Sequence, residues 1–399
     1  MHPGLRGRPG RAAASRLVPD RRRRARRPGT RAAGGRSPSV TANPVSAGSP
    51  LRDRVARSLD ERREPGVAEL CDALERLLDG AETSRDTIRV DRLQKGVYRL
   101  HVGGASGRTL VIKRHTPAMA HTDRLVAERW LPALGLGDGC PRLLAAAAQH
   151  EGRWVWHVYE DLRSEALAAR WEHPRVEAAI DLIARLHTRG VGHPLLPEVR
   201  WHGRDHSARS SLASLRDGIA VLEALATVRT PVRFAVARCR LLERLYWLLD
   251  AAPGQVRLME EAGGPETLLH GDLGPKNIFV ASDGDRPCAR LIDWDHVGVG
   301  PASYDVSTLL YQSPLDDRPW MLSRYRKALE RAGHRLPGDR ELNALFHAAE
   351  TARGVSSIIW PAMALLNDGA EWGRGGLVDI DEWFERLRPP LRDSVGGAA

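Results

Sequence analysis

The stretch LLHGDLGPKNIFV, Leu268–Val280, constrains the fold more than any other part of the chain. An apolar pair leads in, His270, Asp272, Lys276 and Asn277 follow within eight residues, and apolar chain resumes at Ile278. Asn277–Ala281 and Arg290–Trp294 read as two short strands joined by SDGDRP, whose Asp-Gly pair is a hairpin signal. A hairpin returns the chain to its starting end, so the loop before the first strand and the residue ending the second share one edge. Asp272, Asn277 and Asp293 are therefore expected to converge, with Lys276 beside them and Asp295 two residues on.

Asp and Asn oxygens without soft ligands suit Mg²⁺, which takes oxygen donors and usually arrives with a substrate phosphate. A carboxylate left off the metal is free to act as a base. The bland alternative is a polar turn that only caps two strands. The spacing H-x-D-x-x-x-x-N, followed by I-D-W, resembles the catalytic loop and metal-binding Asp of protein-kinase-like enzymes. That resemblance implies Asp272 as the base and Asn277 and Asp293 as Mg²⁺ ligands.

Such a site needs a Lys reaching nucleotide phosphates from a strand. The chain strongly prefers Arg and has only four Lys, at 95, 113, 276 and 327, so a retained Lys marks chemistry that wants a compact ammonium. TLVIKRH supplies Lys113 at the end of an apolar strand, Lys95 and Gly96 in the turn QKGVYR are expected as further nucleotide contacts, and Glu128 in RLVAERWLPAL is the expected carboxylate partner of Lys113, with Asp123 a weaker candidate. Glu160 to Leu162 stand where main-chain groups of a hinge would meet a nucleobase.

TIRVDRL, GVYRLHV and TLVIKRH are β-branched runs separated by turn residues, and read as an antiparallel meander. A helix from about His121 to Leu134 and two further strands complete a small lobe over residues 87–162. From Ser164 helical periods dominate, apart from the hairpin. The fold class is α+β: a two-lobed protein-kinase-like fold, with a small antiparallel β lobe and a larger, mainly α lobe over 163–390. Residues 51–86 read as N-terminal helices. Residues 1–50 form an Arg-rich tail expected to be disordered, as are residues 391–399.

That tail carries twelve Arg and one Asp, leaving 48 basic and 49 acidic side chains in residues 51–399. The net charge of +10 thus belongs to the tail, and the folded part gives no reason to expect a nucleic-acid partner. No apolar h-region follows the arginines and no run approaches membrane-spanning length, so a cytoplasmic protein is expected. Cys71, Cys140, Cys239 and Cys288 form no C-x-x-C pair and read as reduced core thiols.

HGDLGPKN, LIDWDHVGVGPASYDV, VIKR and YEDL together resemble the aminoglycoside phosphotransferase and choline kinase-like family, over roughly residues 87–390. The resemblance implies ATP (or GTP) and Mg²⁺ as cofactors, and transfer of the γ-phosphoryl group to a hydroxyl of a small molecule: an aminoglycoside-like antibiotic, an amino sugar, a choline-like amine or another metabolite. It also implies that Asp305 buttresses the catalytic loop, that His270 supports the loop backbone and that His187 packs. The chain departs from the family in having one Gly, Gly96, between its first two strands. Asp295 supports a second metal or caps the turn. The window 368–385, with six acids and one Arg, either lines an acceptor cleft or is a solvated helix start. Two rivals stand beside this reading: a metallohydrolase using His270, Asp272, Asp293, Asp295 and His296, and a kinase-like fold that only binds.

Overall fold

The computed structural model describes residues 50–60, 63–79, 88–103, 107–227, 231–283 and 286–391. The Arg-rich tail and the end of the chain after 391 lie outside the described residues. The N-terminal helical stretch is two helices, α1 (Pro50–Asp60) and α2 (Val67–Leu78). Pro65 and Gly66 separate them, and Gly66 caps α2 at φ 74°, a conformation that glycine adopts without a Cβ clash.

Strands β1 (Ile88–Gln94), β2 (Val97–Val102), β3 (Arg108–His115), β4 (Leu143–Ala148) and β5 (Val155–Glu160) form one antiparallel sheet in the order β1-β2-β3-β5-β4. Strand alternation sorts its two faces. Tyr98, Leu100, Leu110, Ile112, Trp156 and Val158 bury against Leu51, Val55, Leu70 and Leu74 of α1 and α2. The intervening residues Arg99, Val111, Lys113 and Tyr159 line a cavity on the other side. Trp156 Nε1 donates to the Pro65 carbonyl at 2.8 Å, and Tyr98 donates to Glu64 at 2.6 Å, so the helix pair is pinned to the sheet by polar as well as apolar contact.

After the third strand the chain forms α3 (Pro117–Leu125), a π-helical turn (Val126–Trp130) and the short α4 (Leu131–Ala133). The second lobe follows: β6 (Glu165–Ala166), α5 (His173–Gly190), α6 (Leu196–His202), β7 (Arg204–Asp205), α7 (Ala208–Ala224), α8 (Val232–Ala262), β8 (Glu266–Leu269), β9 (Ile278–Asp283), β10 (Arg286–Leu291), β11 (Gly298–Pro301), α9 (Ser303–Tyr311), α10 (Arg318–Arg331), α11 (Asp339–Asp368) and α12 (Trp372–Arg386). Ile180 and Ile183 of α5 pack with Leu268, Ile278, Val280 and Leu291, so the apolar residues around the polar loop anchor it in the main core. Helices α7, α8, α11 and α12 enclose a separate cluster around Leu222, Leu241, Leu245 and Ile358.

The expected hairpin forms as β9–β10, with Ile278 opposite Leu291, but its second strand is Arg286–Leu291 rather than Arg290–Trp294, so Asp293 lies just beyond the ladder instead of within the strand. No helix among the described residues is long and apolar enough to cross a membrane. The four cysteines form no disulfide among the described residues, and Cys239 is exposed rather than in the core.

Candidate active site

The loop between β8 and β9 is held from below. Asp305, fully buried on α9, accepts from the backbone amides of His270 at 2.7 Å and Gly271 at 2.9 Å. His187 of α5 approaches the same carboxylate at 3.3 Å, while its other ring nitrogen meets the Tyr325 hydroxyl at 2.7 Å. Gly271 stands at φ 83°, and a Cβ there would lie 1.8 Å from the His296 carbonyl oxygen, so the turn requires glycine. His270 Nδ1 accepts from the Asp272 amide at 3.3 Å, which leaves Nε2–H to donate to the Ile292 carbonyl at 2.9 Å. That imidazole therefore ties the loop to the far strand of the hairpin.

Asn277 Nδ2 donates to the Asp272 carbonyl at 2.8 Å and to Asp272 Oδ2 at 3.1 Å, and Lys276 Nζ lies 3.3 Å from the same carboxylate. Across the lobes, Lys113 Nζ sits 2.6 Å from Asp293 and 3.2 Å from Asp295. Burial opposes the Lys113 charge, but the two carboxylates outweigh it and hold its pKa above the usual range. Burial also works against ionised Asp293, yet Lys113 draws it below the ordinary carboxylate value. Asp295 is raised, by burial and by the neighbouring Asp293 charge. Asp293 itself adopts φ 65°, a left-handed conformation that costs a non-glycine residue about 1 kcal/mol or more.

Lys113, Lys276, Asn277 and Asp293 border a cavity of about 350 Å³ between sheet and hairpin, lined also by Asp123 and the chain from Tyr159 to Leu162. Glu160 and Leu162 thus stand at its edge; the Glu160 side chain is engaged by Arg142 at 3.1 Å and Arg290 at 2.7 Å. Two expectations need correction. Glu128 does not meet Lys113: it lies in the π-helical turn and pairs with Arg124 at 2.6 Å on the exposed side. The helix carboxylate at the cavity is Asp123, which accepts from the Tyr159 hydroxyl and lies 3.0 Å from His157 Nδ1. Lys95 and Gly96 do not line the cavity either; Leu93, Gln94 and Val97 do. Gly96 turns the chain at φ 73° and its carbonyl accepts from the Arg114 amide at 2.8 Å, so it serves the hairpin, while Lys95 at the tip is exposed.

A second cavity of about 760 Å³ opens on the other side of Asp272, walled by β7, α7, α9 and α11. The acidic window does not contribute to its lining. Of its acids, Asp381, Glu382 and Glu385 pair with Arg240, Arg233 and Arg244 of α8, and Glu371 pairs with Arg374.

Three supports carried no reading in the sequence. Arg353 of α11 donates to the Gly271 carbonyl at 2.6 Å and to the Tyr304 carbonyl at 3.1 Å, and Glu350 stands 3.4 Å from it. His206 Nε2 donates to the His296 carbonyl at 3.0 Å. His157 and Tyr159 hold Asp123. Only the last had a visible signal: alternation in VWHVYE puts both polar residues on one face of β5.

The fold has solved counterparts. A Plasmodium vivax ethanolamine kinase is 10% identical, with 84% of this chain and 94% of that chain covered and a TM-score of 0.54. A GDP complex of an aminoglycoside 2'-phosphotransferase-IIIa mutant is 14% identical, covering 80% and 98% with a TM-score of 0.53. A spectinomycin phosphotransferase solved with ADP and spectinomycin is 11% identical, covering 79% and 98% with a TM-score of 0.50. At these identities the likeness defines a class of fold, the two-lobed α+β fold of small-molecule kinases. A search of curated protein sequences returns no significant match. The sequence model of the phosphotransferase enzyme family, APH, matches residues 91–345, and the chain belongs to that family.

Proposed function

We propose that the protein transfers the γ-phosphoryl group of ATP or GTP to a hydroxyl of a small molecule. The observation that carries this reading is the junction of the two cavities. Asn277 lines the first, Asp272 lines the second, and a 3.1 Å hydrogen bond joins them. A donor and an acceptor bound on either side would meet at that bond.

In this reading the nucleobase lies against the main chain of Glu160–Leu162, and Lys113 holds the phosphates. The acceptor oxygen bonds to the γ-phosphorus as the bond to the β–γ bridging oxygen breaks, with its electron pair leaving on the nucleoside diphosphate. Asp272 takes the hydroxyl proton and later returns it to solvent, a contribution of about 10²- to 10⁴-fold. Lys276 and Asn277 keep its carboxylate oriented. The donor chemistry at Asp293 and Asn277 fits Mg²⁺: both offer hard oxygens to one cavity, and burial raises the one sulfur there, Cys140, to about 12, so it stays a neutral thiol. Bound Mg²⁺ would supply charge neutralisation at the β- and γ-phosphates.

The test is thermal unfolding with and without Mg·ATP and Mg·GTP, followed by a nucleotide-consumption screen over hydroxylated amines, sugars and antibiotics. Saturating nucleotide at a hundred times its Kd should stabilise the fold by about 2.7 kcal/mol. No stabilisation, with zinc in the purified protein, favours a metallohydrolase. Stabilisation without transfer to any acceptor or to water favours a fold that only binds.

A further inference from the structure

The wall of the second cavity has a charge balance that bears on the acceptor, if the phosphotransfer reading holds. Among the described residues its carboxylates are Asp272 and Asp205. Asp272 is engaged by Lys276 and Asn277. Asp205 accepts from the Ser207 amide at 3.1 Å and lies 3.7 Å from Arg200. Of the two guanidinium groups, Arg353 is spent on the Gly271 and Tyr304 carbonyls and on Glu350. Arg204 is not: no carboxylate or carbonyl among the described residues engages its side chain, which stands exposed at the end of β7. His206 and His296 add no negative charge in either protonation state. The acids of the 368–385 window, the obvious source of an anionic wall, do not reach the cavity.

The remaining lining is neutral and polar. Ser210, Ser211 and Ser214 of α7 face Ser356 and Ser357 of α11, with Trp360 72% exposed at the rim. Hydroxyls of this kind bond hydroxyls, and an exposed indole offers a flat face to a ring. A guanidinium with its fork free is the side chain best matched to a carboxylate or phosphate, which it holds through two parallel bonds. A polycation would meet Arg204, while of the two carboxylates Asp272 is already paired with Lys276 and Asp205 lies near Arg200, whose closer partner is Glu266 at 2.6 Å.

We propose that the acceptor is a sugar-sized polyhydroxyl molecule bearing a carboxylate or a phosphate, with the anion held by Arg204 and a hydroxyl presented to Asp272.

The test uses the full chain saturated with a non-hydrolysable ATP analogue, whose own affinity is measured first. Calorimetric titration then compares glucuronate, glucose 6-phosphate, glucose and kanamycin. At least one of the two acidic sugars is expected to bind tenfold or more tightly than glucose; which one distinguishes carboxylate from phosphate recognition. Arg204→Glu should remove that preference and Arg204→Lys retain part of it, both with the wild-type nucleotide affinity. Kanamycin binding tighter than both acidic sugars, an Arg204→Glu variant that keeps the acidic preference, or no binding of any probe overturns the proposal while leaving nucleotide binding intact. Failure of the nucleotide analogue to bind sinks the phosphotransfer reading and this inference with it.

Discussion

Asp305 accepts hydrogen bonds from the adjacent backbone amides of His270 and Gly271, at 2.7 and 2.9 Å, so one buried carboxylate on α9 fixes the turn that carries Asp272. Burial opposes its ionisation, but His187 and the loop partners prevail and hold the carboxyl below its ordinary range. Asp305→Asn keeps the shape but turns an amide donor toward one of those N–H groups. A loss of about 1–3 kcal/mol in unfolding free energy is expected from a buried polar group left unpaired. Because the native carboxyl is depressed, its contribution is present above the unfolded pKa and is lost as pH falls through the folded one. Urea unfolding at pH 7 and at pH 3.5 checks both points: the wild type's advantage over the variant should narrow in acid.

A second pH dependence comes from the small lobe. Burial pushes His115 down to about 3, whereas the unfolded chain takes up that proton near 6.5, in round numbers. The unfolded state therefore binds the proton first, and stability should decline as pH falls from about 6.5 toward 3. Denaturation midpoints between pH 7 and pH 5 should drop in the wild type and drop less in His115→Gln. Equal slopes would show that His115 is not a source of the decline.

The two helix carboxylates separate by stability. Asp123 is buried with the Tyr159 hydroxyl and His157 as partners, so Asp123→Ala removes a charged partner from two buried polar groups, leaves them chiefly each other at 3.0 Å, and should cost about 1–3 kcal/mol. Glu128 pairs only with Arg124 on the surface, and exposed pairs of this kind contribute about 0–1 kcal/mol. Thermal unfolding of both variants decides between them; a larger loss in Glu128→Gln would reverse the assignment.

How far the sequence revealed this arrangement depended on distance along the chain. The hairpin, the loop before it and the alternation of β2, β3 and β5 are local patterns, each confined to a few residues with a fixed period. Lys113 could be singled out because lysine is scarce. The helix carboxylate at the cavity could not, because helix phase decides which carboxylate faces the sheet, and the π-helical turn at Val126–Trp130 leaves no mark that a periodic reading detects. Arg353 reaches Gly271 across 82 residues, a contact that only the packing of α11 creates. The acidic window was ambiguous for the same reason: its pairing with the arginines of α8 is a tertiary fact. The free guanidinium of Arg204 is likewise visible only once every neighbour has been assigned.

The most direct measurement is phosphoryl transfer by Asp272→Ala, with nucleotide affinity determined on the same preparation and the acceptor taken from the consumption screen. Asp272 lines the second cavity and lies outside the lining of the first, so nucleotide affinity should match the wild type while single-turnover transfer falls by about 10²- to 10⁴-fold. Transfer at the wild-type rate would contradict the assignment of Asp272 as the base.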